Sequence, residues 1–459
     1  MATTVEASAP SDRGASLVGF ALPSASLPVR PGAVIQWSLV VLALANLGRI
    51  PSLSMGQRDA AIVLNDVCVV GLAAVGLVTA LFRRSLWLDA AGIFALLFAG
   101  VGFVSAVSAV PRFGLSGYEL FVSLMYLARW LAYFGLYLFV INNVTTRQVS
   151  AVWRTLSSVM LIFAAFGVFQ SIFLPGFAQI VYPNSGHYDW DEQGHRLVST
   201  VLDPNLAASM IMLVLLIQLA QLSIGVRIKI WQPTLLLVAL VLTLSRGAIV
   251  GLIAGLIVIV VARGLSKRLL KLFGAVLFLS VGVLPQLLSF AQSYARFDVG
   301  EGTSAGARVA AWVLAFEVIR HHPIIGVGFN TYGFIKEATL PLLGASSFST
   351  DGGLLFVTVM TGVVGLSLYI FMLGSVISRC RRIWNNPARS AEHRGIALGT
   401  AAGIVAVCVH SLFANSIFTT FVMEIMWITW GLTFAIDRGP SWSSPEVPPI
   451  GVARRLASS

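Results

Sequence analysis

The sequence predicts an all-α polytopic membrane protein of about twelve transmembrane helices, with both termini cytoplasmic and a large outer loop between spans nine and ten. Three observations lead there. Only 11% of the 459 residues are charged and 57% are hydrophobic, whereas a soluble domain carries about a quarter of its residues charged. Apolar runs near the roughly 20 residues needed to cross a bilayer recur from Gly32 to Asp437. Lipid offers the backbone no outside hydrogen-bond partner, so such runs form helices. The third observation is the distribution of Lys and Arg, which alternates with the runs.

In chain order the spans read 33–49, 60–82, 87–109, 118–141, 151–174, 200–222, 230–244, 247–262, 272–292, 352–377, 395–414 and 416–436. The sixth opens on "LDPN", Leu202–Asn205. Pro204 sits in its first turn, where a missing N–H costs little, and Asp203 is placed to cap it. The seventh and eighth are short and meet at "SRG", Ser245–Gly247. Between the ninth and tenth, "RVAAWVLAFEVIR" from Arg308 puts Val309, Trp312, Val313, Phe316 and Ile319 at helical spacing. That predicts an amphipathic helix, either on the outer membrane surface with Trp312 at the interface or packed on the bundle. Pro323 ends it. The domain reading is a tail at 1–30, one membrane domain at 31–437 with outer loops 175–199 and 293–351, and a second tail at 438–459.

With the N-terminus inside, 20 of the 30 Lys and Arg residues fall on cytoplasmic segments, nine on outer segments, and Arg129 lies within span four. This follows the positive-inside rule, and merging two spans would invert everything downstream. The net charge of +11 is therefore a topology signal and not a nucleic-acid footprint, so no nucleic-acid partner is expected. Cys68, Cys380 and Cys408 lie in or at the ends of spans and imply no disulfide framework. The first 30 residues lack an apolar core and read as a disordered tail. No soluble nucleotide-binding domain is expected, which argues against ATP or a nucleotide-sugar at the cytoplasmic face.

Outer basic residues run against the topology bias and are the better functional candidates. Arg196 in "GHRLVSTVLDPN", Arg246 at the SRG turn and Arg308 at the start of the amphipathic helix share that side. Converging guanidinium groups suit a diphosphate, because each fork binds phosphate oxygens in pairs. The alternative is that each snorkels to lipid headgroups. The adjacent His321 and His322 point about 100° apart on a helix, and the other histidines show no ligand spacing, so no metal site is expected. "GVGFNTYG" is no dinucleotide fingerprint; Gly326 and Gly328 fit a tight turn where the chain re-enters the bundle. Asn65, Asp66, Arg129, His410, Asn415 and Glu424 are polar residues inside spans, and Arg129 is placed to pair with Asp66 or Glu424.

Taken together, "HRLVSTVLDPNLAASM" (195–210), "LTLSRGAIVGLIAGL" (242–256), "RVAAWVLAFEVIRHHPIIGVGFNTYG" (308–333) and "DGGLLFVTVMTGVVGL" (351–366) resemble the O-antigen ligase and polymerase family. These are membrane glycosyltransferases that act on polyprenyl-diphosphate-linked glycans. The four pieces occur in the family's order and cover spans six to ten. The resemblance implies transfer at the outer face of a bacterial inner membrane, from a glycan on undecaprenyl diphosphate to a glycan acceptor, with neither cofactor nor metal. It implies that Arg196 and Arg308, with Arg246 as a third, hold the diphosphate and stabilise its departure. A chain-length regulator is a partner the resemblance allows.

The chain departs from the family where ligases carry a His-Asn pair at the start of span ten: Asp351 and Gly352 stand there. An aspartate, with a reference pKa of about 3.9, is ionised at pH 7. Asp351 is placed to accept the acceptor hydroxyl's proton, to orient the acceptor, or to cap the tenth helix. Loss of the ligase histidine favours a polymerase of O-antigen or exopolysaccharide repeat units over a ligase to a lipid or other acceptor. The rival class is a lipid-linked glycan flippase or other transporter, which twelve spans and buried charges also suit. Against it, the halves show no clear internal repeat and the polar mass is lopsided toward one outer loop. A non-catalytic scaffold for envelope assembly is the third reading.

Overall fold

A computed structural model describes residues 31–50, 62–83, 86–181, 195–264, 267, 270, 304–339 and 352–439. The described residues are helical apart from short loops, 3₁₀ turns and a two-residue ladder pairing Arg49 with Val63 and Ile50 with Ile62. The helices are α1 (Pro31–Leu42), α2 (Leu64–Arg83), α3 (Ala90–Phe113), α4 (Gly117–Asn143), α5 (Thr146–Phe173), α6 (Phe177–Val181) and α7 (Pro204–Ile224). They continue with α8 (Trp231–Leu242), α9 (Arg246–Arg263), α10 (Ser304–His321), α11 (Tyr332–Thr339), α12 (Gly353–Asn385), α13 (Ala391–His410) and α14 (Thr420–Arg438).

Eight helices among the described residues are long and apolar enough to cross a membrane: α2, α3, α4, α5, α7, α9, α12 and α13. The expected spans 33–49 and 230–244 are the shorter apolar helices α1 and α8. The expected span 416–436 is α14, which carries Glu424, Asp437 and Arg438. The run 272–292 and both terminal tails, up to Arg30 and from Pro440, lie outside the described residues. The tenth span is longer than expected, reaching Asn385, and the sixth begins only at Pro204 after a 3₁₀ turn at Ser199–Val201.

Short polar residues start the helices. Asp89 caps α3, Ser116 and Glu119 form a capping box on α4, Ser245 caps α9 and Ser390 caps α13. Each satisfies amide groups that have no intrahelical partner. The bundle is built around α7, of whose span 89% is buried, followed by α13 at 72%; the remaining spans reach at most 50%. These two pack along each other because Gly395, Gly399 and Gly403 form a stripe on α13 facing Gln221, Ile217 and Leu213 of α7. Small residues at this spacing let helix backbones approach closely in lipid.

One end of the bundle gathers the starts of α2, α7, α9, α12 and α14 and the ends of α3 and α13. There the intramembrane charges find partners. Arg129 of α4 pairs with Asp66 of α2, whose other oxygen accepts from the Tyr133 hydroxyl. Glu424 of α14 accepts instead from Ser38 of α1 and Asn65 of α2. The opposite end is held by Arg379, which pairs with Asp89, and by Arg438, stacked on Trp87 and Phe434. Cys68, Cys380 and Cys408 are free thiols.

The stretch Pro323–Gly328 is irregular, turn-containing backbone inserted into a break in α12. Gly362 has φ 64 and ψ −168, which interrupts the helix. The released groups pair across the gap. Val327 and Gly328 donate to the Val359 and Met360 carbonyls at 2.9 and 3.2 Å. Val363 and Val364 donate to the Pro323 and Ile324 carbonyls at 2.8 and 3.3 Å. Ser105 of α3 donates its hydroxyl to the Ile325 and Met360 carbonyls, and Arg112 donates to the Gly326 carbonyl. The expected turn is present, with Gly326 and Gly328 both at positive φ (69 and 119), and it also docks the chain onto α12. A Cβ on Gly362 would collide with the Ile324 carbonyl, and one on Gly326 with that of Val359.

The α10 helix starts at Ser304, one turn earlier than expected, and its expected apolar face is divided. Val309, Val313 and Phe316 are exposed, while Ala315 is fully buried with Trp312, Leu314, Val318 and Ile319 half-buried beside it. The face that seats on the bundle is thus centred on Ala315, because its small side chain allows α10 to approach α12, which the spacing of large apolar residues does not register.

Two stability outcomes follow. Gly362→Ala forces a positive φ and a steric clash, which should cost at least about 1–3 kcal/mol and lower the yield of monodisperse protein in detergent. Arg379→Met leaves Asp89 uncompensated in a site where both side chains are at most 10% exposed, and should cost about 3–5 kcal/mol in thermal melts. Arg382→Ala, removing the exposed pair with Asp437, should cost no more than about 1 kcal/mol.

Candidate functional site

The site is built where α7 and α9 begin side by side. Asp203 accepts from the backbone N–H groups of Asn205 (2.7 Å) and Leu206 (3.0 Å). Burial raises its carboxyl above the ordinary value, opposed by those two N–H groups and by the charge of Arg196. The neighbouring helix is tied on directly: Ser245, which caps α9, donates its hydroxyl to Asn205 Oδ1 at 2.8 Å. Two helix N-termini thus meet at one hydrogen bond, and each presents amide N–H groups and the positive end of its dipole.

The segment before α7 is pinned in the same place. Gln170 of α5 accepts at Oε1 from the N–H groups of Val198 and Ser199, at 2.9 and 3.1 Å. Leu197 N–H donates to the Leu242 carbonyl at the end of α8. Arg196 is buried, and its Nε donates to the Thr243 carbonyl at 3.0 Å. Arg246, exposed at the first position of α9, stands three residues further along the same turn. Leu244 between them takes φ 54, the left-handed conformation that reverses the chain. Arg196 is therefore tied to the turn that leads into Arg246, although 50 positions separate them in the sequence.

The third side of the site is the end of α13. His410 is fully buried, with Nδ1 at 3.1 Å from Ser209 Oγ and 2.7 Å from Ser416 Oγ. Ser209 Oγ lies 2.9 Å from the Asn205 carbonyl and 3.1 Å from Ser416 Oγ. The next residue, Ser411, accepts at its carbonyl from Gly353 N–H at 2.6 Å, which holds the first turn of α12. Phe413 then packs against Gly247 of α9.

Arg308 lies in α10, one turn before Trp312. Trp312 borders the start of α12, since a Cβ on Gly352 would stand 3.6 Å from its indole nitrogen. Asp351 lies outside the described residues. The two histidines sit beyond the end of this arrangement. His321 bonds Glu317 at 2.9 Å in the open, and His322 meets the Phe113 ring edge-on. Burial first, then Arg112 and His321, hold His322 below the ordinary histidine value.

Sequence reasoning singled out "LDPN" and "SRG" separately, without pairing Asn205 with Ser245. It also passed over Gln170, Ser209 and Ser416. A glutamine inside an apolar run was a usable signal for the first; nothing local links Ser209 to His410 and Ser416, which lie 201 and 207 positions away.

The described residues thus form a polytopic helical membrane protein with a polar cluster at one end of its bundle. Residues 233–370 match a family model described as O-antigen ligase. The match spans α8 to the first half of α12 and includes Arg246, Arg308 and Asp351, but not Arg196 or His410. No curated protein matches the chain.

The Asn205–Ser245 bond is open to test on stability alone. Asn205→Ala leaves the buried Ser245 hydroxyl without its acceptor, and should cost about 1–3 kcal/mol in detergent melts. Ser245→Ala should cost less than Asn205→Ala, because it removes the buried donor together with its bond.

Proposed function

We propose that the protein is a membrane glycosyltransferase that polymerises undecaprenyl-diphosphate-linked oligosaccharide repeat units at the outer face of the inner membrane. The observation that carries this reading is the meeting of Arg196, Arg246 and two helix N-termini at one turn. That arrangement suits a diphosphate, whose oxygens accept from guanidinium forks and amide groups alike. The family match supports the same donor class. Arg308, placed one turn from the Trp312 contact with Gly352, is the third diphosphate ligand in this proposal.

The chemistry is a single displacement. The acceptor hydroxyl oxygen bonds to the anomeric carbon while the bond from that carbon to the diphosphate oxygen breaks. The diphosphate leaves with the electron pair, stabilised by arginine charge without a metal. Asp351 takes the hydroxyl proton as base. An aspartate in place of the family's ligase histidine favours a second lipid-linked repeat as acceptor.

A ligase, which joins the glycan to a different lipid, is the second reading, and the match of residues 233–370 to an O-antigen ligase family favours it. Purified protein in nanodiscs, given lipid-diphosphate repeat units alone, separates the two. A polymerase yields a ladder of longer glycans; a ligase yields none until a second lipid acceptor is added. Arg308→Ala and Asp351→Ala should each slow transfer by about 100-fold or more. Wild-type rates from either variant would remove that residue from the site.

A further inference from the structure

His410 belongs to neither the arginine set nor the acceptor position, yet it touches the supports of both. We propose that His410 is a positioning residue that locks the donor end and the acceptor end of the site into one geometry; the inference rests on the function proposed above.

Two routes leave the same turn. From Nδ1, the bonds to Ser209 and Ser416 lead to the Asn205 carbonyl, and Asn205 Oδ1 receives the Ser245 hydroxyl beside Arg246. From the adjacent Ser411 carbonyl, the bond to Gly353 N–H holds the chain two residues from Asp351. Every side chain on the first route except Asn205 is at most 3% exposed, so water does not substitute for a lost member. Leucine-like residues would fill this volume equally well. A fully buried imidazole bonded to two serines is costly unless its geometry is used.

The role is to align groups, not to bind them. Arg196 is separately fixed by Thr243 and Gln170 holds its segment, so donor affinity has supports of its own. Displacing the α13 turn shifts the start of α12 against the α9 turn, and misplacement of about 1 Å between reacting groups can cost about 100-fold in rate.

The test compares His410→Leu with His410→Asn, whose amide returns a hydrogen-bonding atom to the place of Nδ1. His410→Leu should lower kcat by about 10–100-fold while KM and the affinity for undecaprenyl diphosphate stay within about threefold. His410→Asn should recover about tenfold of that loss. Amide hydrogen exchange reads the network without turnover: residues 205–209, 245–248 and 353–356 should exchange faster in His410→Leu and return toward wild type in His410→Asn. If His410→Leu misfolds, the double variant Ser209→Ala with Ser416→Ala removes both partners of Nδ1 and should show the same kcat loss and faster exchange. Wild-type exchange and turnover in whichever of these variants folds, or equal impairment of His410→Asn and His410→Leu, overturns the proposal. Wild-type affinity of Arg246→Ala for undecaprenyl diphosphate would instead overturn the diphosphate site, and leaves the exchange comparison at His410 standing on its own.

Discussion

Backbone polarity at membrane depth is the constraint on which this structure depends. A hydrocarbon environment leaves each unpaired N–H or C=O at a cost of several kcal/mol, so irregular backbone survives only where protein supplies the partners. Here two irregular stretches satisfy each other. The break at Gly362 frees carbonyls and amides in α12, and the irregular Pro323–Gly328 segment pairs with them. Neither is stable without the other. Their mutual pairing sets where α10 approaches the bundle, and so where Trp312 meets Gly352.

A second device of the same kind builds the polar end. Helix starts are deficient in hydrogen-bond acceptors, and this bundle places several of them together. Asp203, Gln170 and Ser245 absorb the nearest amides. In the proposed site an anion would meet helix dipoles and guanidinium groups already oriented, without rearrangement of solvent at the moment of reaction.

Much of this was legible in the chain. Apolar runs located the helices, because length and hydropathy are what a bilayer selects. Asp203–Pro204 announced the start of α7, and of the two partners open to Arg129, Asp66 and Glu424, the structure selects Asp66. The sequence was less informative where the partner is remote. Nothing near Ser209 predicts His410, 201 residues away. Nothing in "GVGF" predicts a broken helix 34 residues downstream. The exposure pattern of α10 misled for a different reason: in lipid, large apolar residues face outward as readily as inward, so periodicity marks a helix without saying which side is buried.

The interruption at Gly362 also has a mechanical meaning. A continuous helix of 33 residues would act as a rigid rod, carrying any tilt at one membrane surface through to the other. With its axis severed nine residues in, the short upper piece is indexed to its neighbours: to α3 through Ser105 and to α13 through Ser411. The long lower piece, anchored by Arg379, answers to a different set of contacts. The polar end and the far surface are thus joined not by an unbroken helical rod but through the Pro323–Gly328 segment, which bonds both pieces of α12.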